Sequence, residues 1–312
     1  MYNNVTVERL WRFLPAVVRR RPKSYEMGSH FIFMCVERIK MIEKNDVFGR
    51  FFVVRKMSFG GMSEIYEVND FSSKSKWAMK VTDASDKRKA DAALREVKVL
   101  KTVSHPSLPR IVDCFEENGY FCVIMDYIDG YNLKNMVEDY GGLKEKDAIK
   151  IGIKLSMALE YLHSKGFIHR DLKPSNVMIT KEGYIRLVDF GLTSESDGYM
   201  PNSEFYLTKE YAPPELLAGK CGDERSDVYE LGTTLFYICE KKKRSAGFKR
   251  FCKKCMKRNE KDRFQSAAEA TMFLKRIEIY NRNVKRDLAA ALIWGLLGIT
   301  ALFTALFLGS GT

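Results

Sequence analysis

The stretch "HRDLKPSN", His169 to Asn176, limits what this chain can fold into more than any other. An aspartate with an asparagine a few positions on lets one loop both contact a substrate hydroxyl and hold a metal ion. "DFG", Asp189 to Gly191, follows two strand-like runs, "NVMI" and "IRLVDF", and brings a second carboxylate toward the same metals. Upstream, "AMK" places Lys80 on a strand, and Glu96 lies on the next helix. A buried lysine needs a carboxylate partner. Such a pair can present its ammonium to the α- and β-phosphates of a nucleotide. Each motif alone is a modest signal, because an isolated Asp or Lys is most often a solvated surface charge. Their joint appearance in this order is not a chance pattern.

A further stretch, "KMSFGGMSEIYEV", Lys56 to Val68, lines up on the form G-x-G-x-x-G-x-V with two of its glycines missing. Loops of that form lie over phosphates because glycine lets the backbone approach closely. Ile65 takes the valine place and Gly60 the middle glycine, with Gly61 beside it. Ser58 and Ser63 stand at the first and third places. Around the loop, "GRFFVVRKM" reads as a strand, "IYEVND" as its return and "KWAMKVT" as a third strand. "DKRKADAALREVKVLKTV" is a helix, with Ala92, Val99 and Val103 near one stripe, and the prolines of "HPSLPRI" end it. "IVDCFEENGYFCVIMDYI" is a strand pair turning at Asn118-Gly119. From Asn132 onward helices dominate. The class is therefore α+β, a small β-rich lobe followed by a helical one.

The run Leu288 to Gly309 contains no charged residue and is long enough to cross a hydrocarbon core as a helix. A buried core helix is the alternative, but the run is apolar all round. Lys285 and Arg286 precede it, so the positive-inside rule puts the N-terminal bulk in the cytoplasm, with no extracellular sensor expected beyond Ser310 to Thr312. "LWRFLPAVV" is too short, and too broken by Arg12 and Pro15, for a signal peptide. The seven cysteines are scattered and odd in number, which gives no disulfide framework and fits a reducing compartment. The net charge of +12 asks for an anionic neighbour.

From about Arg50 to Arg276 the chain resembles a eukaryotic-type, or Hanks-type, serine/threonine protein kinase. "SFGGMSEIY" and "SHPSLPRIVD" resemble the bacterial forms, including the PASTA-type membrane kinases, where Ser63 is normal. Ser58 departs from that pattern and implies weaker nucleotide binding. The resemblance implies a bilobal kinase fold with a C-terminal transmembrane helix. Its expected parts are a basic extension over 1–46, a kinase domain over 47–277 with lobes meeting near 128, a basic juxtamembrane linker over 278–287 and a span over 288–309. It implies ATP and Mg2+ as nucleotide and cofactor, with Mn2+ as a substitute. Lys80 then pairs with Glu96 on the ATP phosphates. Asp171 accepts the substrate hydroxyl proton, Lys173 neutralises the γ-phosphate, and Asn176 and Asp189 hold the metal. Ile65, Ala78 and Met178 sandwich the adenine; the backbone of Asp126 and Ile128 bonds its edge; Met125 is the gatekeeper; Asn132 sits at a ribose contact. These apolar residues would also serve as plain core. Thr208 bonds the catalytic aspartate and lysine, Glu215 pairs with Arg263, and Asp227 braces the catalytic loop. Arg170 beside Asp171 implies regulation by an activation-loop phosphate, with Thr193, Ser194, Ser196 and Ser203 as candidates.

After "ELGTTLFYICE" the chain passes at once to "KKKRSAGFKRFCKKCMKRNEKDRF", so the helical lobe is trimmed relative to the family. This basic segment reads either as a solvated helix face or as a contact for anionic lipid. No nucleic-acid motif accompanies it. Cys252 and Cys255 form C-x-x-C without a second ligand pair, so a zinc site is not expected. Ala291 with Gly295, and Ala301 with Ala305, are small-residue pairs that could pack a homodimer. The leading expectation is a membrane-tethered bacterial kinase acting on protein Ser and Thr, itself included. A membrane-anchored pseudokinase scaffold is the alternative, and a small-molecule kinase a third reading.

Overall fold

The computed structural model describes residues 42–59, 63–195 and 208–308. The expected helix over Phe31 to Lys44 and the basic stretch "RRRPK" fall largely or wholly outside them.

The first unit runs through Thr102 and resumes over Pro109–Ile128. It holds one six-stranded antiparallel sheet: β1 (Val47–Phe48), β2 (Phe51–Phe59), β3 (Glu64–Asp70), β4 (Lys76–Asp83), β5 (Ile111–Glu117) and β6 (Tyr120–Asp126). The spatial order is β1-β2-β3-β4-β6-β5. Alternation decides the two faces. Phe51, Val53, Tyr66, Val68, Met79, Val81 and Ile124 bury one of them. The other receives helix α1 (Lys87–Thr102), whose Val97 packs with Cys114 and Val123. Asp86 caps α1 by accepting the N–H of Arg88 (3.1 Å) and Lys89 (3.3 Å). The β5–β6 turn needs left-handed backbone at Asn118 (φ 52) and Gly119 (φ 79), which is why this dipeptide marks the hairpin.

The second unit takes Val103–Leu108 and everything from Asp129 on. Sequence order groups residues 103–108 with the first lobe, yet their partners lie here. Ser107 O accepts Leu187 N–H (2.7 Å), Leu108 O accepts Arg186 Nη1 (3.2 Å), and the Tyr161 hydroxyl accepts Ser104 N–H (2.9 Å). The unit contains β7 (Gly130–Asn132), α2 (Leu133–Tyr140), α3 (Glu145–Ser164), β8 (Phe167–Ile168), β9 (Val177–Thr180), β10 (Ile185–Leu187) and β11 (Ser194–Glu195). Helices α4 (Pro214–Leu217), α5 (Glu224–Ile238), α6 (Ala246–Cys255) and α7 (Ala267–Leu308) follow. The small sheets are β10-β9-β7 and β11-β8. Helix α5 is central, with Val228, Leu231, Leu235 and Ile238 fully buried. It meets α3 at Gly152, where a Cβ would come within 2.5 Å of Leu235 Cδ1. A larger residue there would force the Leu235 and Leu274 side chains to shift.

Arg244 donates to Cys239 O (2.7 Å from Nη2) and lies 3.8 Å over the Phe236 ring. Ser245 then caps α6 by accepting Phe248 N–H (3.1 Å). The basic segment is thus not one solvated face. Arg244 and Arg263 are buried, while Lys249, Arg250, Lys253, Lys254 and Lys257 are exposed around α6. Cys252 and Cys255 point inward, and burial pushes the Cys252 thiol up to about 12 and Cys255 well up too. These are core sulfurs.

Residues 278–287, expected as a linker, continue α7 without a break. Its backbone stays helical through the apolar run to Leu308, although most side chains there lie outside the described residues. Among the described residues no helix is long and apolar enough to cross a membrane.

Candidate active site

In the first unit, Lys80 on β4 and Glu96 on α1 form a buried ion pair, Nζ to Oε2 at 2.7 Å. Glu96 is 1% exposed and Lys80 9%. Ile65 pairs with Lys80 across β3–β4, and Glu67 with Ala78. Ile65, Ala78 and Lys80 therefore share one face of the sheet, opposite the aromatic core. Ser58 is paired with Ile65 at the end of β2, so the first-glycine place is a strand residue. Gly60 and Gly61 lie outside the described residues. Met125 pairs with Ala78 and packs half-buried against Val97 and Val123. The Asp126 N–H is given to Arg110 O (3.0 Å), so an adenine edge would meet the Asp126 carbonyl rather than its amide. Ile128 follows as the last residue of this unit.

In the second unit the loop after β8 concentrates the chemistry. Lys173 Nζ donates to both oxygens of Asp171 (2.9 and 2.7 Å) and to Thr208 Oγ1 (2.9 Å). Asn176 Nδ2 donates to the Asp171 carbonyl (2.9 Å) and to Oδ2 (2.8 Å). With its amide so directed, Asn176 turns its Oδ1 elsewhere. Val188 N–H bonds Asn176 O at 2.8 Å, and Val177 pairs with Leu187, so the β9–β10 hairpin carries Asn176 and Asp189 at neighbouring ends. Amide and carboxylate oxygens suit a hard divalent cation such as Mg2+. This donor set fits the metal the sequence implies.

Arg170 (φ 63) and Asp189 (φ 68) both adopt left-handed backbone. A non-glycine residue does so only when its surroundings over-determine it. For Arg170 that surrounding is Asp227. Its Oδ1 accepts Arg170 N–H (2.8 Å), and its Oδ2 accepts His169 N–H (2.9 Å) and meets His163 Nε2 (2.8 Å). Burial would raise the Asp227 carboxyl, but the His163 contact and these amides hold it below its usual range. Asp171 goes the other way. Burial outweighs Lys173, the Asp189 charge adds to it, and its carboxyl is raised to about 6.

Glu215 Oε1 and Oε2 each meet one Arg263 nitrogen at 2.7 Å, with Ser226 Oγ also on Oε1 (2.8 Å). Met178 and Asn132 pair across β7–β9. Asn132 caps α2 through its side-chain oxygen (2.8 Å to Asn135 N), which directs that amide toward the helix. Thr193 and Ser194 are 1% and 8% exposed. Ser194 lies in β11 against Ile168, so in this structure neither hydroxyl is open to solvent. Ser196 and Ser203 lie outside the described residues. Arg170 is 3% exposed and donates to Gly222 O (3.4 Å), so a phosphate partner would have to reach an inward-facing guanidinium.

Sequence reasoning missed Glu230 and Thr234, which hold Leu172 from α5. Their helical spacing after Asp227 was the only available signal.

The Thr208 contact yields a direct expectation. Thr208→Val removes a hydrogen bond to the charged Lys173, worth roughly 1.5–3 kcal/mol. For a kinase, as the resemblance implies, that is about a 10- to 100-fold fall in phosphate transfer with little change in ATP affinity. An unchanged turnover number would show the contact to be incidental.

A family model described as protein kinase domain matches residues 51–257. Serine/threonine-protein kinase pkn2 of Myxococcus xanthus is 35% identical over 201 residues, 61% of this chain and 24% of that protein. PknB of Mycolicibacterium smegmatis is 33% identical over 193 residues, 58% of this chain and 31% of its own length. PrkC of Bacillus subtilis is 30% identical over 195 residues, 61% of this chain and 30% of its own. The chain thus spans about a quarter to a third of these curated relatives.

Proposed function

The chain belongs to the protein kinase domain family, and we propose that it is an active serine/threonine kinase of the bacterial type, transferring the γ-phosphate of ATP to protein hydroxyls, its own included. The observation that carries this reading is Lys173 Nζ, bonded at once to Asp171 and Thr208. In that geometry Asp171 orients the incoming hydroxyl and takes its proton. Lys173 offsets charge on the transferred group. Lys80, steadied by Glu96, holds the nucleotide phosphates. Asn176 and Asp189 would hold Mg2+, which supplies charge neutralisation to the phosphates when bound, with Mn2+ able to replace it. Catalysis is then mostly positioning and electrostatics.

Within the first unit, adenine is assigned to Ile65 and Ala78, with the Asp126 carbonyl and the Ile128 amide at its edge. The run from Leu288 to Gly309 is read as a single membrane span that continues α7, with the kinase domain on the cytoplasmic face. The exposed lysines of α6 suit anionic lipid, and the small-residue pairs of the span suit a homodimer. A pseudokinase scaffold has no chemical need for Lys80, Glu96, Asp171, Lys173, Asn176 and Asp189 together. Ser58 is what favours it.

The test is incubation of the full chain, in detergent and in lipid, with Mg2+ and γ-labelled ATP beside Lys80→Met. Label on serine or threonine that is lost in the variant supports the kinase. No label from folded protein, in lipid or with Ser58→Gly, means a scaffold.

A further inference from the structure

Leu172 sits between Asp171 and Lys173, and α5 holds it on both sides. Its N–H is donated to Glu230 Oε2 at 2.7 Å, and its carbonyl accepts the Thr234 hydroxyl at 3.0 Å. Asp227, Glu230 and Thr234 recur at helical spacing, so one stripe of α5 grips the backbone of residues 169–172. Asp171 N–H completes the pattern by pointing at His169 Nδ1 (3.3 Å). Side chains, not a backbone ladder, therefore hold this loop.

We propose that Glu230 is a positioning residue for phosphoryl transfer: by holding the Leu172 peptide from α5 it fixes the spacing of Asp171 and Lys173. The inference rests on the kinase reading above. Glu230 is 2% exposed and forms no ion pair among the described residues. A carboxylate so placed is costly to keep charged. The groups facing it are Asp227 on its own helix, and Asp171, Lys173 and Arg170 from the loop. His163 of α3 reaches Asp227 instead. Helix α6 packs on another side of α5, where Gly232 meets Cys255. Burial, then the charges of Asp227 and Asp171, push the Glu230 carboxyl well above its usual range, against the pull of Leu172 N–H and Lys173. Glu230 thus holds its proton to higher pH than an ordinary carboxyl. Its native form keeps a proton that the unfolded chain gives up, so the fold loses stability as pH rises from the unfolded carboxylate value toward the native one. Ionisation would add a third negative charge beside Asp171 and Asp227 and loosen the loop.

The test compares the full-length wild type with Glu230→Gln and Glu230→Ala. It follows the turnover number, the KM for ATP and the melting temperature from mildly acid to alkaline pH. Glutamine offers the same carbonyl acceptor and never ionises; alanine cannot reach Leu172. Glu230→Ala is expected to lose about tenfold or more in turnover with little change in KM, the mark of a transition-state effect. Glu230→Gln should restore most of that loss and lack the alkaline decline of the wild type. A glutamine variant with the wild-type pH profile, or one as impaired as alanine, overturns the proposal. So does a folded alanine variant with undiminished turnover. If the alanine variant does not fold, the glutamine profile decides. If the wild type transfers no phosphate, the kinase reading fails separately, and the melting curves decide this one. The wild type must then lose stability with rising pH more steeply than Glu230→Gln, and parallel curves overturn it.

Discussion

Asp171→Asn should abolish nearly all label transfer from ATP while leaving the chain folded, a loss of about 10³ in turnover and within the 10²–10⁴ that a positioned proton acceptor contributes. The substitution keeps the side chain's shape and an oxygen for Asn176 Nδ2, which now lies 2.8 Å from Oδ2. It removes the negative charge that Lys173 grips through both oxygens. The pH dependence follows from burial, which lifts this carboxyl from 3.8 to about 6. Only the ionised form takes a proton, so wild-type turnover should climb with pH through about 6, ahead of the alkaline decline expected from Glu230. The residual activity of the asparagine variant should show no such limb. Stability runs opposite to activity. The native carboxyl keeps its proton above the pH at which the unfolded chain has lost its own, so the group costs the fold stability as pH rises. The shift corresponds to at most about 3 kcal/mol. Urea melts should therefore find Asp171→Asn at least as stable as wild type at pH above 6, a trade of stability for activity. A variant that melts much lower would mean that Asp171 is mainly structural.

The parts of this site that were legible in the sequence are those whose chemistry demands a fixed residue type. A lysine can be buried on β4 only with a carboxylate such as Glu96 on α1, and both can be found by reading along the chain. The Asn118-Gly119 turn was equally legible, because few dipeptides accept left-handed backbone twice in succession. What stayed hidden depends on contacts between segments far apart in sequence. Nothing near residue 172 announces that Glu230 will take its N–H. Segment 103–108 follows α1 directly, yet belongs with β10 because Leu187 and Arg186 bond its carbonyls. The burial of Ser194 is not legible because a two-residue strand such as β11 leaves no periodic trace. Arg244 is hidden in a charge run, since composition does not reveal which cation of a basic stretch has buried acceptors.

Arg263→Met should destabilise the fold more than any of the other substitutions, costing about 3–5 kcal/mol, the usual penalty for stranding one partner of a buried ion pair. The Arg263 side chain is fully buried, and its guanidinium is saturated. It meets Glu215 through two nitrogens and donates to Lys257 O (2.8 Å), Arg225 O (2.9 Å) and Arg258 O (3.3 Å). It also lies 4.9 Å from the centre of the Tyr229 ring. Methionine fills much of the volume but satisfies none of these oxygens. Glu215 would be left with Ser226 as its side-chain partner. In the wild type, burial alone would raise the Glu215 carboxyl, but Arg263 and Ser226 hold it below its usual range. That stabilisation is present above the unfolded carboxylate value and fades as pH falls through the lower native one. In Arg263→Met the burial cost prevails, Glu215 keeps its proton, and lowering the pH relieves the penalty. The stability gap between wild type and variant, read from urea midpoints, should therefore narrow as pH is lowered. A gap independent of pH would assign the loss to the unsatisfied carbonyls of residues 225, 257 and 258. The double variant Glu215→Leu with Arg263→Met separates the two causes further. If the stranded charge dominates, it loses less than the sum of the single changes, because the acid leaves with its partner. If the carbonyls dominate, the second substitution changes little.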